Sequence, residues 1–555
     1  MLTNYLRVAF RQLWRNKTFS AFNIFGLATS MSVCLLVLLI LFDQYGYDKF
    51  HVDSERIHRI ISGDDQYEQV VPRMATAPLD LAEELRQYDA VAHSTQIIPL
   101  DRSISHEREP LALRKNGLII EPSFFSIFTF GWTEQQGMDA LGQPATVVIT
   151  EATAERWFPS QEALGKQVNI YGVGDCTITG IMPTPPRRSH LQFDYLLGKA
   201  TINALSTAER EAIGLAERNF RNTYRGYVYF KTVDEGSIVQ LQSPLTQLAE
   251  SYTAQTENRY FAFATQPLLD ILPSQDLGNE IGIGTPLVII YFVLSIGLII
   301  LLTACFNYTN LTLAKSLQRA REIGVRKVNG ARRGQIVRQF LTESVVVAFL
   351  SLLVAVVLLE FLIPAFYGLH PFVEDIFYLD KPWFTYPLFF SFSLMVGLLA
   401  GALPSWSIAR LQPLTALGKL QNARIFSKVG LRKALITFQF TLALICILLV
   451  ILVVQQKNHV LQADLGIDIN EHRSLNLFEL DYEVLSQRIG QLPGVTSVAG
   501  INSVIFGGYR DTQLGYNQGG DSLRVGYLQV SANYPEHLGM EFLAGGTFPT
   551  TSSGQ

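Results

Sequence analysis

Five long stretches without a charged residue constrain the fold of this chain more than any other feature. They are residues 21–42, 286–310, 344–359, 383–409 and 434–455. With their flanking residues, each is long enough to cross about 30 Å of hydrocarbon as a helix. Backbone groups inside a bilayer must be hydrogen-bonded within the protein, so we expect each stretch to form a transmembrane helix.

Three segments beside these stretches are strongly basic. Residues 1–19, 311–342 and 410–433 hold four, eight and six Lys or Arg residues and one acid, Glu322. Short loops with such an excess stay in the cytoplasm. The rest of the chain is acidic, so a formal net charge of −4 conceals a strong segregation. A nucleic-acid-binding protein is not expected to place its basic charge only beside apolar spans.

The charge pattern predicts a topology with the N-terminus in the cytoplasm. The predicted parts are a cytoplasmic amphipathic N-terminus (1–19), spans at 20–42, 286–310, 343–365, 383–409 and 434–455, cytoplasmic segments at 311–342 and 410–433, a short outer loop at 366–382, and outer regions at 43–285 and 456–555. The chain begins with a basic segment, which is followed by a span and then by an outer region. The same order begins again at Leu431. We therefore expect an internal repeat, with the chain a fragment that stops inside its second copy.

The first outer region reads as mixed α/β. Strands are predicted at 146–150, 167–171, 176–182 and 225–232, helices at 151–158 and 238–253, and a turn at 183–188. The five histidines of this region have no metal-ligand spacing, so buried or surface structural roles are expected for them. The four cysteines predict no disulfide framework and no metal cluster.

The basic segment 311–342 has a helical pattern of its own. On a helical wheel, Ala320, Ile323, Gly324 and Val328 are placed on one side, and Lys327 interrupts the pattern. Asn-Gly at 329–330 predicts a turn or helix end. The expected structure is a short amphipathic helix at the inner membrane surface. The alternative is a topology anchor that touches only lipid headgroups.

Several kinds of chemistry are missing from the sequence. There is no G-x-x-x-x-G-K-[ST] loop, so this chain is not expected to bind ATP phosphates itself. There is no H-E-x-x-H or G-x-S-x-G motif, and no enzymatic activity is expected. The spans carry no central carboxylate, histidine or lysine, which argues against an ion-coupled transporter.

The sequence resembles the FtsX-like/MacB-like permeases of ABC transporters. The inner segment REIGVRKVNG (321–330), with FLTES at 340–344, is similar to the R-x-x-E-I-G-[IV]-R-[KR]-x-x-G and F-L-x-E-[SA] patterns of that family. NYTNL at 307–311 and ALPSWSIARLQPLTAL at 402–417 resemble flanking family segments. ITEATAERWFPSQEALG (149–165) and SHLQFDYL (189–196) resemble the MacB-type periplasmic core, and Gln439-Phe440 resembles the second half of eight-span members.

This resemblance implies a fold and a function. The fold is an α-helical transmembrane bundle with large mixed α/β extracytoplasmic domains, in the cell inner membrane. The function is that of a permease subunit, in which the basic segment docks on a separate ABC ATPase subunit. The ATP-binding partner would drive the outer domains by mechanotransmission, for export or envelope handling of peptides, lipoproteins or antibiotic-like substrates. No cofactor or metal is expected in this chain.

The resemblance also implies coupling residues and partners. Arg321, Glu322, Gly324, Arg326, Lys327 and Gly330 match the motif and are the candidate ATPase-coupling residues. Besides the ATPase subunit and the bilayer, the expected partners are a second permease half or second copy and a periplasmic adaptor, but no nucleic acid. An alternative is a non-transporting membrane regulator that activates or tethers an extracytoplasmic partner. An ion-coupled transporter ranks third.

Overall fold

The structure is a computed structural model. It describes residues 2–65, 71–100, 102–106, 109–135, 140–159, 162–213, 215, 226–255, 260–275, 277–282, 284–318, 320–410, 429–463, 472–475, 477, 482–502, 510–515, 522–540, 542, 544 and 546. The chain forms two compact units, Met1–Leu442 and Ala443–Gln555, which are described separately.

Five helices of the described residues are long and apolar enough to cross a membrane. They are α2 (Lys17–Gln44), α9 (Leu287–Gln318), α11 (Arg333–Tyr367), α13 (Thr385–Ala409) and α14 (Val429–Gln462). Each predicted span overlaps one of them. The helices continue into the flanking basic segments, because positively charged side chains at the ends of a span remain in the headgroup layer without interrupting the helix. The 311–342 segment is therefore mostly helical.

Four of these helices, α2, α9, α11 and α13, pack into one bundle. Its core is apolar, and α11 lies against both α2 and α13. Ala348 and Ala355 of α11 and Met31 and Leu35 of α2 are fully buried there. Small side chains let the helices approach closely, which is the main source of helix association in lipid.

The N-terminal helix α1 (Leu2–Arg15) packs against α2 and α11. Ala9 is buried in this contact, whereas Phe10 and Trp14 are more than half exposed. A helix with basic residues and outward aromatic rings suits the interface between headgroups and acyl chains. The amphipathic N-terminal helix predicted from the sequence is present.

A domain built on one large mixed sheet follows α2, and we call it the sheet domain (residues 45–285). Its strands are β1 (Ile57–Asp65), β2 (Val91–Pro99), β3 (Arg102–His106), β4 (Glu109–Lys115), β5 (Gly117–Ile120), β6 (Glu134–Gln135), β7 (Thr146–Thr150), β8 (Gln167–Ile170), β9 (Gly174–Met182), β10 (Tyr195–Gly198), β11 (Tyr227–Thr232) and β12 (Tyr260–Pro267). The order is β12-β1-β11-β2-β5-β10-β7-β9-β8-β3-β4, with β6 beside β9. Only the β10–β5 and β7–β9 pairs are parallel.

Short helices cover the sheet domain and complete its cores. They are α3 (Leu81–Leu85), α4 (Phe124–Ile127), α5 (Glu151–Trp157), α6 (Lys199–Ala204), α7 (Thr207–Ala212) and α8 (Gln242–Ala254), with 3₁₀ turns at Ser54–Arg56, Glu235–Leu241 and Leu268–Asp270. A further short helix, α12 (Pro371–Ile376), lies between α11 and α13. Apolar clusters lie on both faces of the sheet. Apolar side chains on both faces of the sheet thus pack into cores.

The local predictions for this domain are largely confirmed. The strands at 146–150, 167–171, 176–182 and 225–232 are β7, β8, β9 and β11, and β8 pairs antiparallel with β9. The helix predicted at 151–158 is α5, capped by the Thr150 hydroxyl. The helix predicted at 238–253 is divided into a 3₁₀ turn and α8, and Pro244 lies in the first turn of α8, where its missing N–H costs little. Together with the bundle, these elements confirm the predicted fold class.

The second unit contains α15 (Tyr482–Gly490), an antiparallel hairpin of β13 (Arg510–Gly515) and β14 (Ser522–Tyr527), and α16 (Tyr534–His537). The sequences at 533–548 and 121–132 resemble each other, and each contains a short helix, α16 and α4 respectively. No strand follows α4 at 128–132, where the aromatic side chains of Phe128 and Phe130 fill the domain core instead.

Glycines of α13 allow a close helix contact with α11. A Cβ added to Gly397 would lie 2.8 Å from the Cα of Val345, and one added to Gly401 would lie 2.6 Å from the Cβ of Ser344. Gly26 of α2 makes no such contact, because a Cβ added there would meet nothing within 4 Å.

We expect Gly397→Ala to lower the thermal stability of the detergent-solubilised protein. The new methyl group would push against the backbone of α11, and overpacking of this kind costs about 1–3 kcal/mol. Gly26→Ala is the matched control, since its methyl group enters open space. Equal melting temperatures for the two variants would contradict the proposed close packing of α11 and α13.

Buried histidine makes the sheet domain sensitive to acid. His58 on β1 is stacked on Phe230 with ring centroids 5.4 Å apart, and burial lowers the pKa of His58 to about 4. The unfolded chain binds a proton below its ordinary pKa near 6.5, whereas the folded chain does not until about pH 4. The free energy of unfolding therefore decreases as the pH falls from 6.5 towards 4. The decrease is at most about 1.4 kcal/mol per pH unit.

We expect His58→Leu to weaken this loss between pH 6.5 and 4, so that the variant gains stability relative to the unmodified protein at pH 5. The measurement is the melting temperature of the full chain at several pH values. His93→Leu, which replaces an exposed histidine of the same sheet, is the control and should follow the unmodified protein. An identical pH profile for all three proteins would refute the assignment to His58.

Candidate functional site

The candidate coupling residues lie on a separate short helix, α10 (Ala320–Val328), between α9 and α11. Gly330 ends it with a φ of +91°, and the Ala331 N–H donates to the Arg326 carbonyl at 3.0 Å. A residue with a side chain is strained in this left-handed conformation, which explains the glycine. The turn predicted from Asn-Gly is confirmed.

The apolar side of α10 rests on the ends of α11 and α13. Ile323 is 4% exposed and belongs to a cluster with Ile336 and Phe340 of α11 and Ile408 and Ala409 of α13. Gly324 is also buried on this side. The contact attaches α10 to two membrane-spanning helices at once.

Two basic residues strengthen this attachment. The Arg326 guanidinium donates to Gln339 Oε1 at 2.6 Å and pairs with Glu322 at 2.7 Å, and Gln339 Nε2 donates to Glu343 at 3.2 Å. Lys327 Nζ donates to the Ala409 carbonyl at 2.7 Å, where a cation complements the C-terminal end of a helix. Desolvation, with a smaller contribution from the Arg333 charge, lowers the pKa of Lys327.

The outward side of α10 presents a mixed surface. Val325 and Val328 are 47% and 64% exposed, and the Glu322 side chain is 47% exposed. The prediction that Val328 shares one side of the helix with Ile323 was wrong. At about 100° per residue the two are about 140° apart. Lys327 instead lies near Ile323, which is why it contacts the bundle.

The six sequence-predicted coupling residues are therefore divided in their roles. Gly324, Arg326 and Lys327 face or contact the bundle, Glu322 lies at the surface, and Gly330 ends the helix. Ala320 and Arg321 lie in α10, but the structure does not describe their side chains. Val325 and Val328 were not among the candidates, although valines three residues apart share a helix face.

At the other end of the bundle, Arg188 joins the sheet domain to the membrane-spanning helices. It lies in the segment between β9 and β10, and its Nε donates to Asp43 at the end of α2 at 2.9 Å. Its Nη2 donates to the Asp380 carboxylate and to the Tyr378 carbonyl, in the segment between α12 and α13. The Asp43 side chain is fully buried. One guanidinium thus connects three parts of the chain.

A buried hydrogen-bonded chain lies directly beside Arg188. Asp48 accepts from the Ser189 hydroxyl at 3.1 Å and from the His190 backbone N–H at 3.2 Å. His190 Nδ1 and Asp48 are 2.8 Å apart, and His190 Nε2 and the Tyr229 hydroxyl are 2.8 Å apart. An imidazole that donates from Nδ1 to Asp48 and accepts at Nε2 from the Tyr229 hydroxyl satisfies both contacts. Such a chain holds the sheet domain rigidly on the extension of α2.

We call Arg188, Asp43, Asp48, Asp380 and His190 the outer joint. The sequence indicated a turn at 183–188 and a structural role for His190, and the second expectation is confirmed, since His190 is 2% exposed. The joint itself was missed. One signal in the sequence pointed to this region. The segment SHLQFDYL, which begins directly after Arg188, resembles the family's periplasmic core.

No group of three or more His, Cys, Asp or Glu side chains in the described part of the chain is placed to hold a metal ion. The candidate site consists of α10 at one end of the bundle, the outer joint at the other, and α2 and α11 between them.

Comparison with known proteins identifies both parts of the chain. The family model for the FtsX-like permease C-terminal region matches residues 294–413, and the model for the MacB-like periplasmic core domain matches residues 20–248. Together they cover more than half of the sequence. The first match includes α10 and the ends of α11 and α13, and the second includes the sheet domain as far as α8.

Similar curated proteins match this chain over part of their own length. The macrolide export ATP-binding/permease protein MacB of Pasteurella multocida is 26% identical over 287 residues, which are 51% of this chain and 39% of the relative. The ABC transporter permease YknZ of Bacillus subtilis is 34% identical over 140 residues, which are 24% of this chain and 33% of the relative. The chain thus spans well under two thirds of the length of the relatives it matches.

Solved structures of isolated domains also match at low similarity. The periplasmic region of MacB from Actinobacillus actinomycetemcomitans is 13% identical, with a TM-score of 0.28, over 38% of this chain and 89% of that one. A TM-score this low supports no conclusion about the fold, which rests on the strands and helices described above. Because both family models and these relatives match, the chain belongs to the FtsX-like/MacB-like permease family of ABC transporters.

Proposed function

We propose that this chain is the permease subunit of an ABC transporter of the MacB/FtsX type and that it transmits force through the cell inner membrane. A separate ATPase subunit would bind and hydrolyse ATP on the cytoplasmic side, where the N-terminus also lies. The permease would convert closure of the ATPase dimer into motion of the sheet domain in the periplasm. No step of this role requires a cofactor in the permease chain.

The observation that carries the proposal is the double character of α10. Its inner side is attached to α11 and α13 through Ile323, Arg326 and Lys327. Its outer side presents Glu322, Val325 and Val328. An exposed apolar pair beside a charged residue suits a groove on a partner protein. A push on the outer side would move two membrane-spanning helices together.

The path from α10 to the sheet domain is continuous. Helix α11 spans Arg333–Tyr367 and packs along α2, which ends at Gln44. Asp43 in the last turn of α2 is held by Arg188 of the sheet domain. Packed helices with internally satisfied backbones move as rigid elements, so a displacement at one end reaches the outer joint.

The proposed substrates are peptides, lipoproteins or antibiotic-like molecules. The relative from Pasteurella multocida is named a macrolide export protein, which supports an export role in the envelope. A second permease half or second copy and a periplasmic adaptor are proposed partners.

We expect the double substitution Val325→Asp, Val328→Asp to reduce co-purification of the partner ATPase subunit by about tenfold or more. Charged groups would replace the apolar contact that docking buries, and a central contact of this kind is worth about 1.4 kcal/mol or more. Val239→Asp, at an exposed valine of the sheet domain, is the control and should leave recovery unchanged. Full recovery of the ATPase with the double variant would count against docking on this face.

Charge reversal at Arg326 and Lys327 is a weaker test of the same idea, because both residues bind the bundle. Loss of the ATPase in that variant could arise from displacement of α10. The valine pair avoids this ambiguity, since its side chains face away from α11 and α13.

We expect Arg188→Met to uncouple the two sides of the membrane while the ATPase subunit remains bound. The substitution removes the bonds to Asp43 and Asp380 and leaves a buried carboxylate without its cation. The measurement is the spin-label distance between Glu235→Cys and Leu369→Cys in full complexes, with ADP and with a non-hydrolysable ATP analogue. A nucleotide-dependent change should appear in the unmodified complex and disappear in the variant.

Two further variants separate coupling from folding. Arg187→Met is the matched control, because Arg187 lies over the Tyr378 ring rather than against Asp43. The double variant Arg188→Met, Asp43→Asn removes the uncompensated carboxylate and should recover stability but not the distance change. If Arg188→Met retains the full distance change, the outer joint is not the coupling element.

A further inference from the structure

A polar cleft lies at the inner end of the bundle, on the side of α1. It has a volume of about 70 Å³ and lies between α1, α2, α9 and α11. Its polar lining includes Gln12, Ser20, Asn23, Tyr308, Lys315 and Glu343. Helix α2 begins at Lys17 and α9 enters the basic segment at Lys315. The cleft is therefore at the depth of the headgroups of the inner leaflet.

One wall of the cleft has an unused hydrogen-bond acceptor. Asn23 is 6% exposed, and its side-chain oxygen has no donor among the described residues. A buried amide oxygen without a donor is destabilising, so such groups normally have a partner. Tyr308 does not provide one, because its hydroxyl donates to Ser344 Oγ at 2.9 Å.

Charged groups of both signs line the same cleft. Glu343 accepts from Gln339 Nε2 at 3.2 Å, and a carboxylate can accept several further bonds. Lys315 Nζ lies 3.8 Å from the centroid of the Phe19 ring, which fixes the ammonium at one side. The cleft thus combines two acceptors, Asn23 and Glu343, with one cation, Lys315.

We propose that this cleft binds the headgroup of a phospholipid with a primary ammonium, of the phosphatidylethanolamine type. The ammonium donates to Asn23 and Glu343, and the phosphate lies towards Lys315. A volume of about 70 Å³ admits the ammonium with its carbon, while the phosphate and acyl chains stay outside. A trimethylammonium headgroup has no N–H to donate, and a glycerol headgroup has no positive charge to face Glu343.

The bound headgroup would act on the coupling helix as well as on the cleft. Glu343 belongs to a hydrogen-bonded chain that runs through Gln339 to Arg326 and Glu322 of α10. A lipid ammonium at Glu343 holds this carboxylate in place, and so supports the bond from Gln339. The inner leaflet thereby stabilises the attachment of α10 to α11.

The test is native mass spectrometry of the full chain in micelles, titrated separately with dioleoyl-phosphatidylethanolamine, dioleoyl-phosphatidylcholine and dioleoyl-phosphatidylglycerol. We expect phosphatidylethanolamine to bind about tenfold or more tightly than the other two lipids, and Glu343→Gln or Asn23→Leu to remove this preference. Arg338→Gln on α11, which removes an exposed charge outside the cleft, is the control and should keep it.

Equal binding of the three lipids, or a preference retained in Glu343→Gln, would overturn the proposal. If Asn23→Leu does not fold, Glu343→Gln by itself provides the comparison, because Glu343 is the other acceptor for the ammonium. Soluble phosphoethanolamine forms a further arm. If it displaces the lipid at equal concentration, the site recognises a free phosphorylated amine and the lipid assignment is wrong; displacement only at a large excess supports the lipid.

Discussion

The packing of α11 against α2 and α13 is the contact on which the rest of the structure depends. Small residues make it close: Ser344 and Val345 of α11 lie against Gly401 and Gly397 of α13, and Ala348 and Ala355 are fully buried. In lipid, helices gain little from the hydrophobic effect, so close van der Waals contact has to supply the association. Because α11 also holds α10 at one end, this packing gives the coupling helix a rigid base.

Each end of the bundle has a different kind of joint. At the inner end the joint is a small apolar cluster reinforced by two cations, Arg326 and Lys327. At the outer end it is a half-buried guanidinium between two carboxylates, of which Asp43 is fully buried, followed by the Asp48–His190–Tyr229 chain. Separating a buried carboxylate from its cation is strongly destabilising. The outer joint therefore suits a fixed connection between the sheet domain and α2.

Much of the fold could be predicted from the sequence because its signals are local. Uncharged stretches, basic flanks, the short apolar run of β7 and the alternation in β8 and β9 each need only neighbouring residues. The orientation of Val328 needed only a correct helical angle. The outer joint could not be predicted in this way, since Arg188 meets Asp43 across 145 residues and Asp380 across 192. The bond from Lys327 to Ala409 spans 82 residues and is equally invisible to local patterns.

The central claim is that the exposed side of α10 receives an ATPase subunit in the cytoplasm. The most direct measurement is site-specific photo-crosslinking in cells, with a photoreactive amino acid in place of Val325 and, in a second strain, in place of Glu235 in the sheet domain. The account predicts that position 325 captures the ATPase subunit and that position 235 does not. Capture of lipid alone at position 325, or of the ATPase subunit at position 235, would contradict it.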